Sequence, residues 1–362
     1  MAAHLPLALQ TAYADLVDKL LDAAVDTQAR EPGSFVPKTV DGKRYWYHQT
    51  KQPDGRYRQA YLGPETQDLL ARIDRHRAIT DTARARRDIV RSLVRGATVP
   101  GPPARVGKVL EALAESGVFR LRAVLVGTVA YQVYGPMLGV RLGGAALMTE
   151  DIDIAQFRSI SIAVEDHVPP VLETLRSVEP EFRPVSKPLY EKVPVAFLSS
   201  RQGRGGRQEQ LKVEFLTPMR GPDEDAPGQL PALGTASQPL RFLDYLIYRE
   251  QAAAVMYGAG VLVNVPDPAR FAWHKLIVSQ RRTNLAKARK DILQAQTLLD
   301  VLGDERPHDV ADMWEELGGP GRPSWQGIAL VGLNAVAPAV RSKVLGIIGV
   351  RPDATGRTAA SG

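Results

Sequence analysis

The chain contains no cysteine among its 362 residues, and it has only six histidines. The missing cysteines exclude disulfide bonds, thiolate metal sites and cysteine nucleophiles. His274 has no second histidine at a spacing that would make a metal pair, so we expect it on a helix surface. No apolar run approaches membrane-spanning length, and the first residues lack the basic start and apolar core of a secretory signal. We therefore expect a cytoplasmic protein with no membrane segment.

The composition is typical of a globular protein, with 44% hydrophobic and 24% charged residues. The length allows two or three domains. The formal net charge is +6 and the isoelectric point is about 9.4. This basic balance favours a polyanionic partner such as RNA, DNA or a nucleotide.

Two aspartates are the most informative residues of the chain. The stretch 149–155 alternates polar and apolar residues, which predicts a strand with Asp151 and Asp153 on one face and isoleucines on the other. Neighbouring carboxylates repel each other unless a cation lies between them. Mg²⁺ binds one or two carboxylates and completes its shell with water and phosphate oxygens, so the sequence predicts a magnesium site for nucleotide phosphates.

A strand-to-helix turn precedes the aspartates. The apolar run 123–126 ends at Gly127-Thr128 and continues into an apolar helical pattern. Glycine lets the backbone approach a ligand closely, and the helix start offers free N–H groups to an anion. The further glycines of a dinucleotide-binding G-x-G-x-x-G turn are absent, which excludes that fold.

These residues resemble the nucleotidyltransferase superfamily related to DNA polymerase beta: Gly127-Thr128, then Asp151 and Asp153, then an acid on a later strand, here Glu214. The resemblance extends over about residues 35–300. It is closer to uncharacterised bacterial nucleotidyltransferase-like proteins, and more distant to AbiEii and MenT type toxins. The segments that carry the closer likeness are 125–130, 134–139, 151–155 and 266–276.

The resemblance implies metal-dependent chemistry at an α-phosphate. Asp151, Asp153 and Glu214 would hold two Mg²⁺ or Mn²⁺ ions roughly 3.5–4 Å apart, which stabilise the attacking and leaving oxygens. Gly127 and Thr128 would cradle the triphosphate. The third acid of the superfamily is usually aspartate, so the glutamate at 214 leaves a second interpretation open, in which the protein binds nucleotide or RNA without catalysis.

The resemblance also implies three triphosphate-binding cations: Lys275, Arg282 and Lys290. Lys275 follows Phe271 by four residues, on the same face of a predicted helix. Two plainer interpretations stay open. Lys275 is also typical of a surface lysine, or of one whose aliphatic stem packs beside apolar neighbours. The basic residues that follow it, from 281 to 290, are also typical of a solvated helix face with a Lys287–Asp291 pair.

Two aromatic-rich runs around Pro53-Asp54-Gly55 predict a β-hairpin. Basic residues alternate there with aromatic rings, which suits unpaired RNA bases and phosphates. The alternative is that the rings pack the small sheet against neighbouring helices. The candidate nucleic-acid contacts are Arg44, Trp46, Tyr47, Arg56 and Arg58.

We expect an α/β fold in which helices flank a mixed sheet. The predicted regions are an N-terminal helix–hairpin–helix region (1–100), the nucleotidyltransferase core (104–240), a mostly helical region (241–350) and a disordered tail (351–362). Within them we expect a helix over 161–178 and an exposed loop over 221–238.

The favoured function is NMP transfer from an NTP to RNA or tRNA, with a protein acceptor, an antitoxin partner and a homo-oligomer as further possibilities. A metal-dependent sugar transferase also uses D-x-D, but its sugar-nucleotide domain normally precedes that motif with a longer run of alternating strands and helices, so this class fits less well.

Overall fold

The fold is given by a computed structural model. The residues that the structure describes are 3–25, 34–40, 43–51, 56–96, 98–143, 151–163, 167–186, 190, 193–203, 206, 208–219, 221, 226–320 and 324–351.

Fourteen strands lie in the described part of the chain: β1 Ala3–His4, β2 Ser34–Val40, β3 Lys43–Lys51, β4 Tyr57–Pro64, β5 Val124–Val126, β6 Val140–Arg141, β7 Asp151–Ala155, β8 Arg183–Val185, β9 Ala196–Gln202, β10 Gln208–Pro218, β11 Gly228–Leu230, β12 Thr235–Leu240, β13 Gln251–Val255 and β14 Val261–Val265.

Twelve α-helices accompany them within the same ranges: α1 Leu7–Val25, α2 Gln67–Gly96, α3 Ala104–Glu115, α4 Gly127–Met137, α5 Arg158–Ala163, α6 Val171–Val178, α7 Leu243–Leu246, α8 Pro268–Ser279, α9 Leu285–Glu305, α10 Pro307–Leu317, α11 Trp325–Leu333 and α12 Pro338–Ile348.

A seven-stranded mixed sheet organises the fold. The strands β7 and β10 pair in parallel at its centre, and β5 pairs antiparallel with the other edge of β7. The other edge of β10 has two partners: its first part pairs antiparallel with β9, and its last part pairs in parallel with β12. Strand β8 then pairs with β9, and β11 pairs with β12. The predicted α/β fold, with a mixed sheet flanked by helices, is confirmed.

The two central strands follow from their alternating sequences. Ile152 and Ile154 of β7 are fully buried, and so are Val213 and Phe215 of β10. Polar residues occupy the positions between them, where side chains point to the other face of the sheet. One face of each strand therefore joins the main hydrophobic core, and the other face is left for charged groups.

Two predicted segments were wrong. The helix expected over 161–178 is two helices, α5 and α6, because Pro169 and Pro170 interrupt it, with Pro170 as the N-cap of α6. The exposed loop expected over 221–238 contains β11 and most of β12, which extend the sheet and bury Ala236 and Ser237. The sequence-based prediction missed these two short strands because proline, glycine and acidic residues are typical of loops.

The N-terminal part contains a three-stranded antiparallel sheet of β2, β3 and β4, which lies between α1 and α2 in the chain. The sheet has one strand more than the expected hairpin. The turn 52–55 and the tail 352–362 lie outside the described residues. The region boundaries near 100, 240 and 350 stay predictions.

The N-terminal helix packs against the later part of the chain. Leu16 and Leu20 of α1 form a second hydrophobic cluster with Ala254 and Met256. The Tyr13 hydroxyl accepts a hydrogen bond of 3.1 Å from the backbone N–H of Ala254, and both residues are buried. The first helix therefore satisfies a backbone group of β13.

None of the described helices is both long and apolar enough to cross a membrane.

The substitution Tyr13→Phe tests this contact. It removes the acceptor and leaves the buried Ala254 N–H unpaired, so we expect the free energy of unfolding to fall by about 1–3 kcal/mol. Urea unfolding measures it as a lower midpoint at an unchanged slope. Tyr248→Phe, at a tyrosine that is 45% exposed, is the control and should change stability by less than about 0.5 kcal/mol. Equal effects of the two substitutions would contradict the interpretation.

Candidate functional site

Three acids lie on one face of the neighbouring central strands β7 and β10, in a region that we call the carboxylate edge: Asp151, Asp153 and Glu214. The parallel register of β7 and β10 pairs Glu214 with Asp153 and Lys212 with Asp151. Because residues two apart on a strand share a face, all four charged side chains lie on the same side of the sheet. The structure thus brings together the three acids that the sequence analysis selected.

The turn at Gly127 fits closely against this edge. Val126 pairs with Asp153, and Gly127 begins α4 with a φ of +70°. A side chain at position 127 would collide with the Asp153 carboxylate, at Oδ2. Two features therefore favour glycine at position 127: the left-handed backbone conformation, and the lack of room for a Cβ atom. Thr128 follows in the first turn of α4, whose N-cap makes no side-chain hydrogen bond.

The carboxyl of Asp153 lies in an environment that disfavours its ionised form. Burial, and then the charges of Glu214 and Asp151, raise its pKa from 3.8 to about 6, although Lys275 and Lys212 act in the opposite direction. Nearby carboxylates on a partly dehydrated edge disfavour ionisation unless a cation compensates. A cation bound near the carboxylate edge would therefore stabilise its ionised acids.

Lys212 supplies part of that charge. Its Nζ lies 2.6 Å from Glu214 Oε1, and both side chains are about one-third exposed. The sequence analysis missed Lys212, although its position two residues before Glu214 on an alternating strand could have indicated it. Within the described residues, no group of three or more His, Asp or Glu side chains lies close enough to hold a metal ion. The role of Glu214 as a metal ligand stays a prediction.

The donor chemistry of Asp151 and Asp153 fits a divalent cation. Two carboxylates on one strand face, one of them exposed and one half-buried, match the one or two acidic ligands that Mg²⁺ usually takes from a protein. Burial and the two neighbouring acids raise the pKa of Asp153, so a bound cation would stabilise its ionised form. Glu214 would have to leave Lys212 in order to complete a three-acid site.

A cationic cluster on α8 and α9 faces this edge. Asp291 Oδ1 accepts a 2.6 Å bond from Lys275 Nζ, and Asp291 Oδ2 accepts a 3.0 Å bond from Arg282 Nε. Burial alone would raise the pKa of Asp291, but the charges and hydrogen bonds of Lys275 and Arg282 lower it. Lys275 also lies over the Phe271 ring, 5.1 Å from its centroid. Its ammonium group is thus fixed by two contacts.

Helix capping sets the position of this cluster. Asp267 caps α8 by accepting hydrogen bonds from the N–H groups of Ala269 and Arg270, with Pro268 at the first helical position. Asn284 caps α9 in the same way. Both caps can be read from the sequence. They fix where each helix begins, and so they fix the turns on which Lys275 and Asp291 lie.

Lys290 belongs to the same cluster. Burial lowers the pKa of its ammonium, as does the charge of Lys275, whereas Asp291 and Asp151 act in the opposite direction. Lys290 is thus within electrostatic range of Asp151, and Lys275 is within range of Asp153. The structure therefore groups Lys275, Arg282 and Lys290 around Asp291 and brings two of these cations near the carboxylate edge.

Three expectations about α8 and α9 were wrong. Lys275 is buried, so it is neither a surface lysine nor one that snorkels into water. Asp291 pairs with Lys275 and Arg282, so the proposed pair with Lys287 does not describe it. His274 is also buried; burial, with a contribution from Lys275, lowers its pKa to about 3, and its Nδ1 finds no hydrogen-bond partner among the described residues. It is a neutral interior residue.

The N-terminal sheet gives less support to a nucleic-acid surface. Trp46 is 4% exposed, and its Nε1 donates a 2.9 Å bond to Glu65 Oε2. The ring is therefore packed, as the alternative interpretation held, and offers no free face to a base. Arg44 lies over the same ring and pairs with Glu65. Arg56 is exposed, and the side chains of Tyr47 and Arg58 lie outside the described set.

The chain was compared with known proteins. The model of a family described as Nucleotidyltransferase matches residues 104–318. One similar solved structure is that of an antigenic nucleotidyltransferase-like protein from Paracoccidioides brasiliensis, with 16% sequence identity and a TM-score of 0.36, over 68% of this chain and 94% of that one. A score of this size supports no conclusion about fold or function. No curated protein matches. The likeness to AbiEii and MenT type toxins stays a prediction.

The pKa of Asp153 predicts a pH dependence of stability. Because the folded state holds this proton up to about pH 6, whereas the unfolded state loses it near 3.8, ionisation weakens the fold as the pH rises through this window. Asparagine does not titrate. The free energy of unfolding of Asp153→Asn, measured relative to that of the wild type, should therefore increase by about 2 kcal/mol between roughly pH 4.5 and pH 8.

Urea unfolding in EDTA at the two pH values measures this difference. Asp18→Asn, at an exposed residue of α1, is the matched control and should show no such increase. A difference between Asp153→Asn and the wild type that stays constant or shrinks as the pH rises would contradict the electrostatic assignment.

The buried ion pair of Asp291 predicts a large loss of stability. The substitution Asp291→Ala leaves Lys275 buried without its counter-charge, so the free energy of unfolding should fall by about 3–5 kcal/mol. Glu209→Ala breaks the exposed 2.9 Å pair with Arg201 and should cost less than about 1 kcal/mol. Thermal and urea unfolding of both variants measure the difference, and similar losses would contradict a structural role for Asp291.

Proposed function

We propose that this chain, which belongs to the nucleotidyltransferase family whose model matches residues 104–318, transfers a nucleoside monophosphate from an NTP to a hydroxyl group of RNA. The observation that carries the proposal is the register of β7 and β10. It sets Glu214 beside Asp153, whose carboxylate lies against the Gly127 turn and within electrostatic range of Lys275. This grouping of acids, a helix-start turn and a cation supports the proposal.

The reaction is an in-line displacement at the α-phosphorus. The acceptor hydroxyl loses its proton, and its oxygen forms a new bond to the α-phosphorus. The bond from that phosphorus to the oxygen bridging the α- and β-phosphates breaks, and pyrophosphate leaves with the electron pair. The residues of the chain position the two substrates and balance the charge that develops on the oxygens.

The carboxylate edge would hold the metal ions. Asp151 and Asp153 are the proposed ligands, joined by Glu214 when it leaves Lys212. Bound Mg²⁺ or Mn²⁺ would neutralise the phosphate oxygens and lower the pKa of the acceptor hydroxyl. Glu214 is the proposed acceptor of the hydroxyl proton, because it pairs in register with Asp153 and its side chain is about one-third exposed.

The cations would bind the triphosphate. Lys275, Arg282 and Lys290 bring three positive charges, of which Asp291 balances one. The β- and γ-phosphates of the NTP are the proposed partners of the remaining charge. The N–H groups of Gly127 and Thr128 at the start of α4 would add hydrogen bonds to a phosphate oxygen.

RNA or tRNA is the proposed acceptor because the chain carries a net charge of +6 and favours polyanions. A protein acceptor remains the alternative within the same chemistry. An antitoxin partner, a homo-oligomer and a cytoplasmic location stay predictions from the sequence.

A second candidate function is nucleotide or RNA binding without turnover. The ion pair of Lys212 with Glu214, at 2.6 Å, favours it, because it occupies the third acid. On this alternative the chain binds NTP at the same edge and releases it unchanged.

Labelled nucleotides test the proposal. Wild-type protein with total RNA, Mg²⁺ and NTP labelled on the α-phosphorus should transfer label to RNA, whereas label on the γ-phosphorus should appear in pyrophosphate. Asp151→Asn and Asp153→Asn should each lower transfer about 100-fold, because the charges at the reacting phosphate are then unbalanced. Ribonuclease should release the label; release by protease alone would instead identify a protein acceptor.

The control variant is Asp18→Asn, which should label RNA as the wild type does. Glu214→Gln separates the two functions: loss of transfer with unchanged NTP binding supports a catalytic glutamate. Wild-type protein that binds NTP but transfers no label, with any NTP or acceptor offered, would establish the binding function instead.

A further inference from the structure

A second concave region opens at the other end of the central sheet, and we call it the distal cleft. It has a volume of about 660 Å³ and lies where three strands end, at Phe157 after β7, Met219 after β10 and Phe242 after β12. The carboxylate edge lies nearer the beginning of β7. The two regions therefore occupy different positions along the same strands. A volume of this size is typical of a small-ligand site.

The lining of the cleft combines aromatic rings with guanidinium groups. The Arg281 guanidinium lies 5.5 Å from the centroid of the Phe242 ring, and that ring meets the Trp325 ring edge-on at 4.6 Å. Arg241 and Tyr248 also line the cleft, together with one acid, Asp244. Phe242 is buried beneath them, whereas Arg281 and Tyr248 are exposed. The lining therefore offers a net positive charge and ring surfaces.

The backbone around the cleft is strained. Among the described residues, five that are not glycine have a positive φ, and two of the five line the cleft: Phe242 and Ser324, both at +66°. A third, Arg249 at +57°, follows Tyr248 directly. A left-handed backbone is unfavourable for a bulky residue such as phenylalanine. Strain of this kind persists where the surrounding structure holds it, and it is concentrated at functional sites.

We infer that the distal cleft binds the acceptor, as a base and an adjoining phosphate of a single-stranded RNA. The inference rests on the proposed function. Ring surfaces stack with any nucleobase, and arginines bind the phosphates next to it, which together favour a polynucleotide over an isolated anion. Arg281 would contact the phosphate, and Trp325 with Tyr248 would contact the base.

The spacing of the two regions fits a strand that bridges them. Helix α8 carries Lys275, which interacts electrostatically with Asp153, and Arg281 follows six residues later, in the turn after the helix ends at Ser279. Six residues at a helical rise span about 9 Å. Strand β7 carries Asp153, and Phe157 follows four residues later, two residues past the end of the strand. Four residues at a strand rise span at most about 13 Å. A stacked strand rises about 3.4 Å per nucleotide, so roughly three or four nucleotides span the interval.

The bridging interval is itself basic. Arg282 follows Arg281 directly in the chain and binds Asp291, and its side chain is 43% exposed. The segment that joins the distal cleft to the cluster at Asp291 thus presents positive charge to a phosphate backbone, which would guide the reacting hydroxyl towards the NTP.

Binding measurements on the full chain test the inference. The probe is a fluorescent single-stranded oligoribonucleotide of about 12 nucleotides, titrated by anisotropy without NTP. Arg281→Glu should weaken its binding by about tenfold or more, while Arg281→Lys, which keeps the charge, should weaken it by less than about threefold. Arg95→Glu, at an exposed arginine of α2, makes the same charge change elsewhere and should alter binding by less than about twofold.

The same variants are then titrated with a fluorescent NTP in Mg²⁺. Arg281→Glu should leave NTP affinity within about twofold of the wild type. A loss of NTP affinity without a loss of RNA affinity would make the cleft a donor site and overturn the inference. RNA binding that is absent from the wild type, or equal in Arg281→Glu and Arg95→Glu, would overturn it as well.

The result is independent of catalysis, because binding is measured without turnover. If the wild type transfers no label but Arg281→Glu selectively loses RNA, the proposed transfer fails and the RNA site stands. If transfer proceeds and Arg281→Glu retains both RNA affinity and the KM for RNA, the transfer stands and the cleft is not the acceptor site.

Discussion

The parallel register between β7 and β10 is the constraint on which the candidate site depends. It pairs Asp153 with Glu214 and Asp151 with Lys212. A shift of one residue would turn the acids of one strand into the core and its apolar residues towards solvent. The buried Ile152, Ile154, Val213 and Phe215 prevent that shift, because they would lose their apolar surroundings. Core packing thus fixes the arrangement of the charged groups.

The charged groups on the two sides of the site form a balanced set. Asp151, Asp153, Glu214 and Asp291 carry negative charge, and Lys212, Lys275, Arg282 and Lys290 carry positive charge. The pairing is uneven, because Asp291 binds two of the cations and Lys212 engages one acid, while the pKa of Asp153 stays raised. Pairing offsets part of the desolvation cost of placing these ionised side chains beside a hydrophobic core.

Much of the fold and of the site could be predicted from local sequence. The alternation in β7 and β10, the turn at Gly127 and the caps Asp267 and Asn284 are short-range features. The burial of His274 and Lys275 could not be predicted so easily, because all but one of the α8 residues are buried and the helix has no polar face to reveal its orientation. Burial on all sides depends on neighbouring helices that are distant in the sequence. The strands hidden in 221–238 are stabilised by β10, another long-range partner.

The missing side chain of Gly127 also sets a limit on the length of the neighbouring acid. The turn lies so close to the Asp153 carboxylate that even a methyl group would collide with it. We therefore expect a longer acid at 153 to fit less easily, because an extra methylene extends the side chain beside a turn that already contacts the shorter carboxylate. Glu214 is about one-third exposed and contacts the flexible side chain of Lys212, so the longer acid has room on β10. The difference in free space between the two strands is a steric reason for aspartate at one position and glutamate at the other.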